Sequence, residues 1–404
     1  MAHDAISPLL TTAGWELLSS LGPYREADSL KLNESLRKAG HSPELVAAAL
    51  TQARLRAKAE AKFGEFAQQM LFTPAGLEQA TRLPIAALHA QRFTTAGITS
   101  VADLGCGIGA DSLAMASLDI NVTAVEMDEV TAACTTVNLM PFPHARVVCG
   151  QAEDTDLTGI EGVWLDPARR TTSTSGTTRL FDPEAFSPPL SFVEQLADRG
   201  LAVGVKMGPG IPHEAVPDTA EAQWVSVNGD VVEAGLYFNA LARPGIRRAA
   251  LVMGPGSLNE LTSSVPYDPA AQDAETGPVA GYLYEPDGAV IRAGLVADLA
   301  RSIGAHLVDE HIAYLCSEQH VDTPFARAYK VLEVKPFNVK ALKAWVKANR
   351  IGVLDIKKRG ISTTPEELRR QLLTGSGKGP NKATLVLTRI GEERVAIVVE
   401  PHGL

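Results

Sequence analysis

The 404-residue sequence predicts an α/β protein: a helical segment, a domain built on a parallel sheet, and a small α+β unit at the end. Three observations carry that expectation. Short β-branched runs alternate with helix-compatible segments between residues 99 and 207, the pattern of βαβ units and a parallel sheet. A glycine-spaced turn, Gly105-Cys106-Gly107-Ile108-Gly109, follows the first of those runs and opens a helix. Beyond residue 325 the chain turns strongly basic, whereas the remainder is acidic.

Residues 1–92 read as the helical segment. "SPELVAAALTQARLRAKAEAKFGEFAQQM" begins with a Ser-Pro start signal and carries Leu45, Ala49, Leu55 and Phe63 at roughly helical spacing. A further helical stretch opens after Thr73-Pro74, with Pro84 breaking or kinking it. Residues 93–250 hold the alternating runs "TSVADLGCG", "NVTAVEMD", "ARVVCGQ", "GVWLDPA" and "LAVGVKMGPG", then two later strands, "VVEAGLYFNAL" and "RRAALVMG". Residues 251–325 form a linker and intermediate region: 255–285 is rich in Gly, Pro, Ser and Asp and reads as a boundary or long loop, and "VIRAGLVADLARSIG" as a helix. Residues 326–404 read as strand, Asn-capped helix, strand, helix and a final strand pair.

Composition excludes several classes. At 45% apolar and 21% charged residues the chain is neither disordered nor fibrous. No run of about 18 uncharged apolar residues predicts a membrane span, and no basic-then-apolar leader opens the sequence. Cys106, Cys134, Cys149 and Cys316 show no CxxC or ligand-like spacing. Free thiols, a cytoplasmic location and no metal are therefore expected. The net charge of −10 hides an asymmetry: Ala326–Lys382 has fourteen Lys or Arg against four acids, so that segment is +10 and the rest −20.

The glycine turn carries the chemistry. Gly105, Gly107 and Gly109 let the backbone turn tightly and approach a ligand, and Glu126 ends the next strand, where a carboxylate can accept hydrogen bonds from both ribose hydroxyls. A nicotinamide dinucleotide fits the glycines alone. Asp103 argues against it, because a carboxylate there would repel pyrophosphate at the helix N-terminus. S-adenosylmethionine has no phosphate and carries an ammonium group that Asp103 could help bind.

The ordered set of D-x-G-x-G-x-G, Glu126, "CGQAED" and Asp166-Pro167 resembles the class I S-adenosylmethionine-dependent methyltransferases over about residues 95–245. That resemblance implies a Rossmann-like domain with Asp103, Gly105, Gly107 and Gly109 around the methionine part, Glu126 on the ribose, and Ala152 or Glu153 beside the adenine. With "GLEQAT", "DPARR", "KMGPG" and "IGVLDIKKRG", the chain resembles more closely the bacterial subfamily with a C-terminal THUMP-like domain. This implies that Gln79 and Thr81 lie near the cofactor or target pocket, and that the partner is RNA.

"VWLDPARR" would then be the catalytic strand end. Amino-group methyltransferases of nucleic-acid bases end this strand in (Asp/Asn)-Pro-Pro-aromatic. Here Asp166 and Pro167 are kept and the ring is absent, so Arg169 or Arg170 would stack on a base or bind phosphate. The uracil C5-methyltransferases carry Asp-Pro-Pro-Arg but need a cysteine nucleophile after the fifth strand, where this chain has Lys206 and Met207. The expected catalytic residues are thus Asp166, Pro167 and Arg169, and the expected RNA contacts Arg170, Lys206, Lys357, Lys358 and Arg359. Lys340, Lys343 and Lys347 share one helix face and would add phosphate contacts. Two competing readings remain: a methyltransferase acting on a small molecule or protein, and a non-catalytic RNA-binding protein that keeps the fold.

Overall fold

The computed structural model describes residues 6–169, 182–269, 274–373 and 379–403. The chain forms two compact units, one of residues 1–207 with 236–243, the other of residues 208–235 with 244–404.

In the first unit, helices α1 (Thr12–Ser20), α2 (Ser29–Lys38), α3 (Pro43–Phe63), α4 (Pro74–Gln79) and α5 (Leu83–Thr95) precede the sheet. Ser42 caps α3 by accepting from the Leu45 N–H at 3.2 Å, with Pro43 in the first turn, as the Ser-Pro signal predicts. Pro84 starts α5 instead of kinking a longer helix. Strands β1 (Ser100–Leu104), β2 (Asn121–Glu126), β3 (Ala145–Cys149) and β4 (Gly162–Leu165) follow, with α6 (Ala110–Ala116) after β1 and α7 (Glu129–Leu139) after β2. A two-residue ladder joins β5 (Ala168–Arg169) to β6 (Phe186–Ser187), then come α8 (Leu190–Asp198) and β7 (Ala202–Met207). Parallel pairing gives the order β3-β2-β1-β4-β7, the expected Rossmann-like arrangement. Both faces of β1 and β4 are covered, so Val101, Leu104, Val163, Trp164 and Leu165 are fully buried. The apolar runs reflect that two-sided burial.

In the second unit, β8 (Glu221–Val227) pairs in parallel with β10 (Arg248–Gly254), and β10 pairs antiparallel with β11 (Ser257–Ser263). Between them β9 (Asp230–Phe238) begins in this unit, and its last three residues belong to the first. Part of the expected loop over 255–285 is thus a strand, because Gly254-Pro255-Gly256 marks a hairpin turn, with Gly256 at φ +71°, rather than a boundary. The expected helix over 290–304 is two, α9 (Gly288–Arg292) and α10 (Val296–Ile303), parted by Gly294 at φ +66°.

A second sheet contains β12 (Tyr282–Pro286), β13 (His306–Asp309), β14 (Ile312–Ser317), β15 (Ala326–Pro336), β16 (Ile351–Lys358), β17 (Asn381–Ile390) and β18 (Glu393–His402) in the order β13-β14-β12-β15-β18-β17-β16. Helices α11 (Val339–Ala348) and α12 (Pro365–Leu373) flank β16, and Asn338 caps α11 through the Ala341 N–H at 3.0 Å. Leu342, Val346, Leu368 and Leu372 bury one stripe of each helix against Leu354, Ile356 and Leu385. Among the described residues no helix is long and apolar enough to cross a membrane.

Candidate active site

The glycine loop lies between β1 and α6. The Gly105 and Cys106 N–H groups both donate to the Val125 carbonyl at 2.9 Å, which ties the loop to the end of β2. Gly107 sits at φ +55° and a Cβ there would meet nothing within 4 Å. Its backbone conformation requires glycine, and its surface is open to a ligand. Gly109, at φ +83°, has the opposite reason: a Cβ would come within 2.8 Å of Thr135 Cγ2. Thr135 on α7 donates to the Gly107 carbonyl at 2.5 Å and fixes the loop from behind.

Glu126 faces this loop, half-buried. Its Oε2 accepts from the Gly107 N–H at 3.0 Å and its Oε1 from the Asp128 N–H at 2.9 Å. Burial pushes its carboxyl up, which the two backbone N–H groups partly offset. Each oxygen keeps a lone pair, so the carboxylate can still accept from two vicinal hydroxyls. An open glycine loop and an oriented two-oxygen acceptor fit S-adenosylmethionine. Ala152 is half-buried and Glu153 exposed on the turn after β3. Met127, unremarked in the sequence, is 70% exposed beside Glu126 and offers an apolar surface.

Asp103 lies beneath the loop rather than on it, 1% exposed, with Ser112 Oγ donating to its Oδ2 at 2.5 Å. Burial and the nearby Asp111 push its carboxyl up to about 8, more than Ser112 offsets. Any influence of Asp103 on a ligand ammonium is therefore exerted from below. The neighbouring Cys106 thiol is pushed up by burial, which removes it as a nucleophile.

Asp166 and Pro167 leave β4 opposite Gly105: the Asp166 carbonyl oxygen is 3.7 Å from where a Gly105 Cβ would lie. β7 pairs with β4 so that Leu165 faces Val205, which brings Lys206 beside Asp166. Lys206 Nζ is ion-paired with Asp166 Oδ2 and donates to Thr81 Oγ1 at 3.1 Å. Gln79 is exposed at the end of α4, and Thr81 is buried. Lys62 on α3 fixes that corner by donating to the carbonyls of Leu77, Glu78 and Ala80 at 2.9, 2.6 and 2.8 Å. Arg169 contributes backbone to β5, and its side chain, like Arg170, lies outside the described residues.

Far along the chain, the expected RNA contacts separate. Lys357 is ion-paired with Glu285 Oε2 at 2.5 Å, and Arg359 lies over the Tyr314 ring at 5.3 Å. Lys358 points to the other face of β16 and is exposed, as are Lys340, Lys343 and Lys347 on α11. Sequence reasoning also missed His89 and Asp111, buried together with His89 Nδ1 2.7 Å from Asp111 Oδ1. Only the acid directly after the glycine loop could have signalled them. Among the described residues no group of three or more His, Cys, Asp or Glu could hold a metal ion.

Comparisons with known proteins agree with this geometry. A family described as "THUMP domain-like" matches residues 326–401, and one described as a domain of unknown function matches residues 2–59. An "Uncharacterized S-adenosylmethionine-dependent methyltransferase" of Mycobacterium tuberculosis, recorded in strains H37Rv and CDC 1551, is 33% identical over 347 residues, covering 83% of this chain and 91% of the relative. A protein of Porphyromonas gingivalis W83 solved as a candidate methyltransferase superposes with a TM-score of 0.70 at 19% identity, over 95% of this chain and 100% of that one. At that identity the likeness concerns the fold. With the glycine loop and Glu126 beside the Asp166 turn, and with relatives of this kind over most of its length, the chain belongs to the class I S-adenosylmethionine-dependent methyltransferases that carry a C-terminal THUMP-like domain.

Proposed function

We propose that this methyltransferase acts on a base nitrogen of a structured RNA, tRNA or rRNA. The observation that carries the reading is the Asp166-Pro167 turn facing the glycine loop, with the Asp166 carbonyl oxygen 3.7 Å from the Gly105 Cβ position. A carboxylate and a main-chain carbonyl at that place can both accept from an amine, leaving the nitrogen lone pair aimed toward the methyl donor.

S-adenosylmethionine, when bound, supplies a methyl group on a positively charged sulfonium. Gly105, Gly107 and Gly109 line its methionine part, Glu126 accepts from its ribose, and Ala152, Glu153 and Met127 flank the adenine. Gln79 and Thr81 close the site from the N-terminal helices. Asp166 holds and orients the acceptor amine and does not act as a strong base, Pro167 stiffens the turn, and Lys206 neutralises Asp166. Arg169 and Arg170 are the candidates to stack on the target base or bind its phosphate. Alignment of amine and donor would supply most of the acceleration.

For the RNA, the basic face of the THUMP-like domain supports phosphate recognition, through Lys340, Lys343, Lys347 and Lys358. Arg359 remains a proposed contact at its edge, whereas Lys357 is engaged by Glu285 and its role is to hold that strand.

The test uses tritiated S-adenosylmethionine and total RNA from a strain lacking this gene. The wild-type chain is expected to label RNA and Asp166→Ala to leave it unlabelled. No label from either protein, with S-adenosylhomocysteine binding verified by calorimetry, would overturn the RNA reading in favour of a small-molecule or protein substrate.

A further inference from the structure

A chain of buried polar groups runs behind Asp166, assembled from five separate elements. His89 on α5 is 2% exposed and its Nδ1 lies 2.7 Å from Asp111 Oδ1 on α6. Thr81, between α4 and α5, accepts from Lys206 Nζ at 3.1 Å, and both Thr81 and Lys206 act to hold the Asp111 carboxyl down. Lys206 on β7 in turn pairs with Asp166 after β4. Donor logic fixes the direction. Lys206 has only protons to give, so Thr81 accepts from it, and the Asp111 carboxylate, which can only accept, takes the His89 N–H. Trp164, two residues before Asp166, packs over His89 with ring centroids 4.2 Å apart.

Burying so many ionisable groups costs stability unless each is matched. A structural purpose would be served more cheaply by apolar side chains at the same volumes. We propose that His89, Asp111 and Thr81 are positioning residues of methyl transfer: through Lys206 they hold the Asp166 carboxylate charged and aimed at the amine to be methylated. The inference rests on the reading of Asp166 as the acceptor for that amine. The charged and titratable groups around Lys206 are Asp103 on β1, Asp111 on α6, Asp166 after β4 and Lys62 on α3, with His89 behind Asp111. Burial works to raise the Asp111 carboxyl, but His89, Lys206 and Thr81 together hold it below its ordinary value.

Two readouts test the proposal on the full chain. The first needs no substrate. In protein carrying 15N-lysine, the Lys206 ammonium resonance is identified by its loss in Lys206→Arg. It should persist against solvent exchange in wild type and Thr81→Ser and vanish in Thr81→Val. His89→Asn, which keeps a donor near the Nδ1 position, should preserve it, and His89→Leu should not. A resonance unchanged in both Thr81→Val and His89→Leu overturns the proposal.

The second readout is the pH profile of kcat/KM for transfer of labelled methyl to RNA. A carboxylate that loses a neighbouring cation takes up a proton more readily. Thr81→Val should therefore move the acid limb to higher pH and lower kcat by about 10- to 100-fold, and Thr81→Ser should restore both. A drop in rate with an unmoved acid limb would contradict the positioning role. If wild type labels no RNA, the substrate reading fails, and the lysine resonance still decides the relay.

Discussion

Two buried places, one in each unit, hold charge in different ways. In the methyltransferase unit, His89 and Asp111 are buried as a pair, and Asp103, buried nearby, is raised by the Asp111 charge. In the unit that ends in the THUMP-like domain, buried Arg248 and Asp309 are tied mainly to backbone, with Arg389 Nε 3.8 Å from Asp309. Arg248 donates to the carbonyls of Val265, Ala293 and Gly294 at 2.9, 2.9 and 2.6 Å, and Asp309 accepts from the Gly391 N–H at 3.0 Å. A charge spent on backbone carbonyls staples loops together. Charges that perturb one another prepare a site for chemistry. In the second unit the lysines proposed to meet RNA are on the surface instead.

This contrast predicts different consequences for mutation. Arg248→Met should have the largest effect on stability, about 2–4 kcal/mol in denaturant melts, because it orphans one buried and two part-buried carbonyls. Cofactor affinity should not change. Glu126→Ala should do the reverse, weakening S-adenosylhomocysteine binding in calorimetry by about 10-fold or more, the worth of a charge-assisted hydrogen bond, with a small change in melting.

Two buried groups, one in each unit, respond to pH with opposite sign. The folded chain keeps a proton on Asp103 up to about 8 that the unfolded chain releases near 3.8, so this group makes stability fall as pH rises between those values. Asp103→Asn should flatten that decline. His213, stacked on Tyr267 at 3.7 Å, is held by burial down to about 4, so the unfolded chain takes its proton first. Its contribution is lost as pH falls from 6.5 toward 4, and His213→Phe should flatten the acid side. Stability curves from pH 4 to 9 check both.

The smallest effect concerns the surface. Replacing Lys343 and Lys358 by Gln should reduce the slope of log RNA affinity against log salt by about two and leave the fold intact. An unchanged slope would mean that this basic face does not carry the RNA.

Much of this was legible in the sequence. Asp103 through Gly109 and Glu126 are brought together locally, because a turn and the strand beside it fix both, and the Ser42 and Asn338 caps announced their helices. β8 and β11–β14 went unread: their short, mixed runs become strands only through partners such as Lys330 opposite Tyr282. The polar relay was invisible for a related reason. Thr81 and Lys206 are 125 positions apart, and periodicity reports which element a residue belongs to, not what it will touch. Lys357 shows the same limit, since a basic run gave no sign that Glu285 would claim one member of it.

The central claim is that Asp166 directs methylation to a base nitrogen of RNA. The most direct measurement digests the tritium-labelled RNA to nucleosides and locates the methyl group by mass spectrometry, for wild type beside Asp166→Ala. One nucleoside methylated on a base nitrogen, made by wild type and absent from the variant, is the predicted result. A methyl on ribose or on a ring carbon, or equal labelling by the two proteins, would contradict it.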